Sequence, residues 1–177
     1  MEMSALTTER LRLSVPRAED VEAIIAMVSD PDTHRFLGPM GTRADHFSRI
    51  LRNTGSWLLY GYGLFVVRRR SDDTFIGTCG IFHSIRGLGE DFDDRAEAGW
   101  IVAPDQTGQG HAGEAMRAAL DWFDAAFGRE VMCMISPGND ASTGLAVRLG
   151  FTHLRDATLP DGDPIRLFQR PPPEISQ

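Results

Sequence analysis

The sequence contains no lysine, and all 18 of its cationic side chains are arginine. This absence excludes Schiff-base chemistry and the phosphate-binding lysine motifs of nucleotide hydrolases. Only two cysteines occur, Cys79 and Cys133, which is too few for a disulfide framework, and each lies within an apolar run. We therefore expect two buried thiols that act neither as metal ligands nor as nucleophiles.

The sequence also lacks a hydrophobic run long enough to span a membrane. The longest uncharged segment, residues 53–67, is interrupted by glycine and is shorter than the roughly 20 apolar residues that a spanning helix needs. The first ten residues include acidic side chains and have no apolar stretch typical of a signal peptide. A net charge of −7 argues against a phosphate-backbone binder. We expect a soluble, unprocessed, cytoplasmic protein that binds neither nucleic acid nor membranes.

The length and composition of the chain are typical of one globular domain. The 177 residues are 42% hydrophobic and 24% charged, which lies in the globular range. We predict a single domain over residues 1–170, followed by a proline-rich C-terminal tail at residues 171–177. The five histidines show no metal-ligand spacing, so no metal site is expected.

Hydrophobic periodicity predicts the order of strands and helices. Alternation at residues 11–15 predicts a strand, and apolar residues at helical spacing over 21–28 predict a helix that ends before Pro31. Thr42 and Asp45 resemble a capping box that begins a short helix. The further predicted helices cover residues 43–52, 110–127 and 139–149, and the further strands cover 64–69, 74–83, 96–102, 131–135, 151–154 and 165–169. This order predicts a mixed α/β fold.

A glycine-rich turn between a strand and a helix is the sharpest local signal. Gly108, Gly110 and Gly113 allow a tight bend, and the unpaired amides of a first helical turn attract an anion such as a phosphate. An ordinary strand-to-helix turn is the plainer interpretation. The spacing also matches the dinucleotide fingerprint of Rossmann enzymes, but residues 104–107 separate the strand from the glycines, and Glu130 precedes its strand instead of ending it. We interpret the dinucleotide match as accidental.

The same turn resembles the coenzyme A loop of the GNAT superfamily of N-acetyltransferases. The signature of that loop is Arg or Gln, two residues, Gly, one residue, then Gly or Ala, and residues 107–112 read Thr-Gly-Gln-Gly-His-Ala, with Thr107 in place of the usual first residue. Asn139 to Ser142, followed by Arg-Leu-Gly-Phe at 148–151, resembles the N-x-x-S…K-L-G-F block of the ribosomal-protein N-terminal (Rim-type) branch. Residues 11–20 and the predicted hairpin over 62–77 fit the same branch, so the resemblance covers residues 10–169.

The resemblance implies a fold, a cosubstrate and a set of binding residues. The fold is the α/β GNAT-like acyl-CoA N-acyltransferase fold, a mostly antiparallel sheet with one splayed parallel strand pair and helices on both faces. The cosubstrate is acetyl-CoA, whose pyrophosphate would lie on the loop amides and whose pantetheine arm would pair with the preceding strand. The implied cofactor-binding residues are Ile101, Val102, Gly108, Gln109, Gly110, His111, Ala112, Gly113, Asn139, Ser142 and Arg148.

The resemblance also implies two catalytic residues. Glu97 matches a position where Rim-type relatives carry a glutamate that takes the proton of the amine through water; an arginine-paired carboxylate is the alternative. Ser142 would protonate the departing sulfur, or would be only a residue of a helix N-terminus. Many relatives use a tyrosine acid, whereas Tyr60 and Tyr62 here both precede the central hairpin. His83 is a weaker candidate for a second base.

These residues together indicate an acetyl-CoA-dependent N-acetyltransferase that acts by direct transfer in a ternary complex. The acceptor stays open between a protein or peptide N-terminus and a small-molecule amine, and a homodimer stays open as the assembly. The acidic residues at 90–94 either attract a cationic amine or form a solvated loop. The alternatives are a coenzyme A-binding module without catalysis and, more distantly, a Rossmann dehydrogenase.

Overall fold

An eight-stranded mixed sheet organises residues 5–173, the part of the chain that the computed structural model describes. The first half comprises β1 (Ala5–Thr7), β2 (Leu11–Ser14), α1 (Val21–Ser29), α2 (Pro31–His34), α3 (Arg43–Tyr60), β3 (Leu64–Arg69), β4 (Phe75–Ser84) and β5 (Arg95–Val102). The second half comprises α4 (His111–Phe127), β6 (Val131–Ile135), α5 (Asp140–Arg148), β7 (Thr152–Thr158) and β8 (Pro164–Arg170). The strand order is β1-β2-β3-β4-β5-β6-β8-β7, and β5 with β6 is the parallel pair. This topology confirms the predicted fold class.

The main hydrophobic core lies between the sheet and the helices α4 and α5. Its fully buried members include Phe65, Ile81, Met116, Phe123 and Ala146. A smaller cluster, in which Met27 and Val28 of α1 pack against Ile101, covers the other face. Cys79 and Cys133 lie in the main core, and burial raises the pKa of both thiols, which confirms the expected buried cysteines.

Helix α3 differs most from its prediction. Thr42 and Asp45 form the expected capping box, but the helix continues to Tyr60 instead of ending at residue 52. The prediction stopped at a stretch of weak helix formers, Asn-Thr-Gly at 53–55. Tertiary contacts hold the extra turns, because Ser56 Oγ donates to the Tyr62 carbonyl at 2.7 Å and Trp57 Nε1 donates to the Leu64 carbonyl at 2.9 Å. The helix ends at Gly61, whose φ of +79° is left-handed.

Smaller differences concern short elements. Strand β1 and the one-turn helix α2 were not predicted, and strand β7 extends to Thr158, beyond the predicted limit of residue 154. Residues 171–173 of the predicted tail are exposed and irregular, and the rest of that tail lies outside the described residues. No helix within residues 5–173 combines the length and apolarity required to cross a membrane.

Candidate active site

The parallel strands β5 and β6 separate soon after they meet. They pair at Ala96 with Val131 and at Glu97 with Met132, although both strands continue further. The predicted splayed pair is therefore confirmed. A groove of ≈ 1170 Å³ follows the resulting gap. We name its two ends the loop end (residues 106–113) and the Glu97 end (Arg49, Arg52, Phe82, Arg86 and Glu97).

Alternate residues of β5 turn their backbone toward this gap. The carbonyl oxygen of Ile101 points at β4, away from the gap. It lies so close to Gly77 of β4 that a Cβ atom at Gly77 would be only 2.1 Å from it. The Ala103 amide likewise donates to the Ile76 carbonyl of the β4 strand at 2.9 Å. Backbone direction alternates along an antiparallel strand. Val102 therefore presents its backbone to the gap, and both Ile101 and Val102 line the groove.

Two left-handed glycines shape the loop end. Gly108 has φ +73°, and Gly110, the N-cap of α4, has φ +78°, a region that other residues rarely occupy. The amides of residues 108–113 have no hydrogen-bond acceptor within residues 5–173, so they are available to an anion at the positive end of the helix dipole. Arg10 holds the turn in place. Its guanidinium donates hydrogen bonds to the Gln109 carbonyl at 3.0 Å and to the Glu114 carboxylate at 2.6 Å.

His111, the first residue of α4, is buried at this end of the groove. Its Nδ1 atom has no partner among the described residues. Burial lowers the pKa of His111, and the positive charges of Arg10 and Arg69 lower it further. The imidazole is therefore neutral at pH 7 and offers a hydrogen-bonding group without charge.

Two arginines bring positive charge to the groove from α4 and α5. A terminal nitrogen of Arg117 lies 3.6 Å from the Cβ position of Gly113, and one of Arg148 lies 3.3 Å from that of Gly144. In the described part of the chain, neither guanidinium pairs with a carboxylate. Arg148 was predicted as a binding residue, whereas Arg117 was missed. Its position one helical turn after Gly113 is the signal that could have indicated it.

Glu97 is buried, with 4% of its side chain exposed, and both of its oxygens are engaged. Arg86 donates from Nε to Oε2 at 2.8 Å and from a terminal nitrogen to Oε1 at 2.7 Å, and Ser84 Oγ also donates to Oε2. A carboxylate offers about four lone-pair sites. Oε1 accepts from Arg86 alone among the described residues, so one of its acceptor positions has no donor. The arginine pairing considered as the alternative is present, and the role of Glu97 as a base stays a prediction.

Asn139 and Ser142 meet at the N-terminus of α5. The Asn139 side chain caps the helix by accepting a hydrogen bond from the Ser142 amide at 3.1 Å. The Ser142 hydroxyl oxygen accepts from the indole Nε1 of Trp100 on β5 at 3.3 Å. Ser142 and Trp100 both line the groove between its two ends. Trp100 was missed because an aromatic residue in a strand pattern indicates core packing.

Three side chains weighed as acids or bases lie away from the groove. His83 Nδ1 contacts the Tyr62 hydroxyl at 3.0 Å, its Nε2 contacts Asp94 at 2.8 Å, and its ring stacks on Tyr60 with centroids 3.8 Å apart. Successive strand residues point to opposite faces. Because Phe82 lines the groove, His83 points to the other face and does not reach the groove as a second base. Neither tyrosine lines the groove.

The acidic loop before β5 is engaged in internal contacts. Asp91 pairs with Arg155 at 2.7 Å, and Asp94 contacts His83. Asp93 accepts hydrogen bonds from backbone amides of its own loop, the shortest at 2.7 Å. These contacts engage Asp91, Asp93 and Asp94, and the attraction of a cationic amine by this loop stays a prediction. No cluster of three potential metal ligands occurs between residues 5 and 173.

Comparisons with known proteins agree with this geometry. Residues 10–152 match the acetyltransferase (GNAT) domain family. A structure from Bordetella pertussis, assigned to the GNAT acetyltransferases, is 32% identical with a TM-score of 0.84, and the alignment covers 94% of this chain and 99% of that one. The protein YkkB of Bacillus subtilis is 26% identical over 170 residues, which cover 93% of this chain and 94% of YkkB.

A more distant likeness concerns the fold alone. The structure of RimL, a ribosomal L7/L12 alpha-N-protein acetyltransferase in complex with coenzyme A, has a TM-score of 0.71 at 14% identity and covers 94% of this chain and 97% of that one. The family match spans residues 10–152, which is most of the chain. This chain therefore belongs to the GNAT family of acetyltransferases.

Proposed function

We propose that this protein is an acetyl-CoA-dependent N-acetyltransferase that transfers an acetyl group directly to a primary amine in a ternary complex. The observation that carries the proposal is the gap between β5 and β6, which connects an anion-accepting turn to a buried carboxylate. Val102 and Glu97 are five residues apart on one extended strand, a span of about 16 Å. This span suits an extended arm that carries phosphates at one end and a reactive thioester at the other.

The loop end fits the phosphates of acetyl-CoA. The free amides of residues 108–113 are hydrogen-bond donors for a pyrophosphate, and the lack of a Cβ at Gly110 lets the backbone approach it. Arg117 and Arg148 supply the charge that balances the phosphates. All eight strands belong to one sheet, which supports treating residues 1–170 as one catalytic domain.

Glu97 is the proposed base at the opposite end. It removes the extra proton of the acceptor ammonium through a water molecule held at the remaining site on Oε1. The bidentate contact with Arg86 fixes the orientation of the carboxylate, so the water is positioned as well.

Ser142 is the proposed acid. As the amine nitrogen bonds to the acetyl carbon, the carbon–sulfur bond breaks and the sulfur leaves with the proton of the Ser142 hydroxyl. The hydroxyl regains a proton that the nitrogen loses as the amide forms. The indole of Trp100 already occupies an acceptor site on Ser142 Oγ, which directs the hydroxyl hydrogen elsewhere in the groove.

A coenzyme A-binding module without catalysis is the second candidate. Two observations favour it: Arg86 and Ser84 hold the Glu97 carboxylate, and the groove lining contains no tyrosine among the described residues. The test is incubation with acetyl-CoA and a panel of primary amines and peptides, followed by thiol release and intact mass. We expect amine-dependent thiol release and acceptors heavier by one acetyl group. Tight acetyl-CoA binding without thiol release would favour the module.

A further inference from the structure

Three arginines converge on the Glu97 end of the groove. Arg49 and Arg52 lie one turn apart on α3, Arg86 follows β4, and all three line the groove. Arg86 is neutralised by Glu97. Within residues 5–173, neither Arg49 nor Arg52 makes a hydrogen bond or an ion pair. Two cationic groups therefore border the groove without a bound counter-charge.

These two guanidinium groups also lie near a third positive charge. Both residues are exposed to solvent by surface area, and the partial desolvation of each guanidinium together with the positive charge of Arg86 lowers the pKa of both. Both side chains nevertheless remain cationic at neutral pH. The carboxylates that act on them are already engaged, because Asp45 accepts from Thr42 in the cap of α3 and Glu97 accepts from Arg86.

We propose that Arg49 and Arg52 bind an anionic group on the acceptor, so that the substrate is a primary amine that also carries a carboxylate or a phosphate. This inference rests on the proposed function. An anion between two guanidinium groups relieves their mutual repulsion, and carboxylate and phosphate both accept paired hydrogen bonds from arginine. A polycationic acceptor would instead meet like charge at this end of the groove.

The phosphates of the cosubstrate are assigned to other residues. The free amides of the loop end and the guanidinium groups of Arg117 and Arg148 lie around the start of α4 and α5. Glu97 lies near the start of β5 and Val102 ends that strand before the loop, so the two residues are about 16 Å apart along β5. Arg49 and Arg52 therefore face the acceptor and not the phosphates.

The test compares matched acceptors that differ in charge. One series pairs L-amino acids with the corresponding amino acid amides, and a second pairs phosphoethanolamine with ethanolamine. Rates of thiol release are compared at equal concentrations of unprotonated amine. We expect the anionic member of at least one series to be preferred by about tenfold or more in kcat/KM, since charge-assisted hydrogen bonds have this strength. The preferred series identifies the anion as carboxylate or phosphate.

Variants assign this preference to the two arginines. Arg49→Gln and Arg52→Gln should each raise KM for the anionic acceptor and leave KM for its neutral partner and the Kd of acetyl-CoA unchanged. Arg43→Gln is the matched control, because Arg43 lies on the same helix but pairs with Glu22 outside the groove. Equal rates for charged and neutral acceptors, unchanged KM in both variants, or an equal loss of acetyl-CoA affinity would each overturn the inference.

A binding measurement separates this inference from the proposed function. Calorimetric titration of the same acceptors into the protein saturated with coenzyme A requires no turnover. Selective binding of the anionic acceptors, lost in Arg52→Gln, without any acetyl transfer would refute the proposed function and retain the anion site. Acetyl transfer without anion selectivity would retain the proposed function and refute the anion site.

Discussion

The substitution Glu97→Gln tests the structural and the catalytic role of Glu97 together. It removes the carboxylate charge at nearly constant shape and leaves the Arg86 guanidinium without its partner. Breaking a buried ion pair in this way costs about 3–5 kcal/mol. Arg86 keeps 25% of its side chain exposed and can turn to water, so we expect the lower limit, about 3 kcal/mol. For a chain of this length, that loss lowers Tm by about 6–12 °C.

The catalytic loss should have a different signature. If Glu97 takes the proton of the amine, kcat/KM should fall by about 100-fold or more. The loss should be greatest at low pH, where little amine is already unprotonated, and should shrink toward the pKa of the amine. Rates would be measured well below Tm, across about pH 6 to 9, with one confirmed acceptor.

Asp124→Asn supplies the matched control for this experiment. Asp124 forms a similarly shielded pair with Arg170 at 2.6 Å, with 12% and 17% of the two side chains exposed, and neither residue lines the groove. This control should lose comparable stability and keep wild-type kinetics. If the pH profile of Glu97→Gln matches that of Asp124→Asn, Glu97 only holds Arg86 and the assigned base is wrong.

Four further predictions concern ligand binding and pH. Gly110→Glu should abolish acetyl-CoA binding in calorimetry, because it places a carboxylate at the phosphate site, whereas Gly128→Glu, at the left-handed C-cap of the same helix, should keep it; equal losses would point to strain alone. Acetyl-CoA at about 100-fold over Kd should stabilise the protein by about 2.7 kcal/mol, and NADH should not; a Tm shift with NADH would revive the dinucleotide interpretation. Ser142→Ala should lower kcat by about tenfold or more at unchanged acetyl-CoA affinity, whereas Asn139→Ala should cost about 1 kcal/mol of stability; unchanged kcat in the former would remove Ser142 as the acid. Burial lowers the pKa of His46, so the unfolded chain binds the proton more readily, and stability should fall as pH drops below about 6.5; His46→Gln should flatten this decline in thermal melts, and an unchanged slope would exclude His46 as its source.

Local patterns were sufficient for most of the fold. The alternation of β2, the spacing of α1 and the capping box at Thr42 depend on neighbouring residues, so they are visible in the sequence. The end of α3 is not local, because its last turns depend on Ser56 and Trp57 contacting the chain beyond Gly61. Strand β1 has three residues and pairs only with β2, too short a segment for alternation to identify.

The same distinction between local patterns and contacts of distant residues applies to the candidate site. The glycine turn is a continuous segment, and the structure gives it the free amides that its sequence suggested. The Glu97 end is assembled from α3, β4 and β5, and the contact of Arg86 with Glu97 joins residues that no local pattern relates. Arg49 and Arg52 both lie within the helix predicted at residues 43–52, three positions apart, so their common face could be derived. The packing that brings this face to the Glu97 end is not local and could not be derived. His83 is the reverse case, a residue that the sequence suggested as a second base but that lies outside the groove. The face of the sheet to which it points depends on how its strand is placed in the sheet, which the sequence does not show.

The early separation of β5 and β6 also affects how this protein avoids association with other chains. Unpaired backbone groups on a strand are a template for intermolecular pairing, which is why exposed sheet edges promote aggregation. Here the unpaired edge lies inside the sheet and is walled by residues of α5 and by the turn between β7 and β8, including Pro160 and Asp163. A flexible arm without bulky side chains fits such a slot lengthwise more readily than a β-strand, which carries side chains on both faces. The fold thus keeps an unpaired backbone edge available to a small ligand inside the sheet instead of at its outer rim.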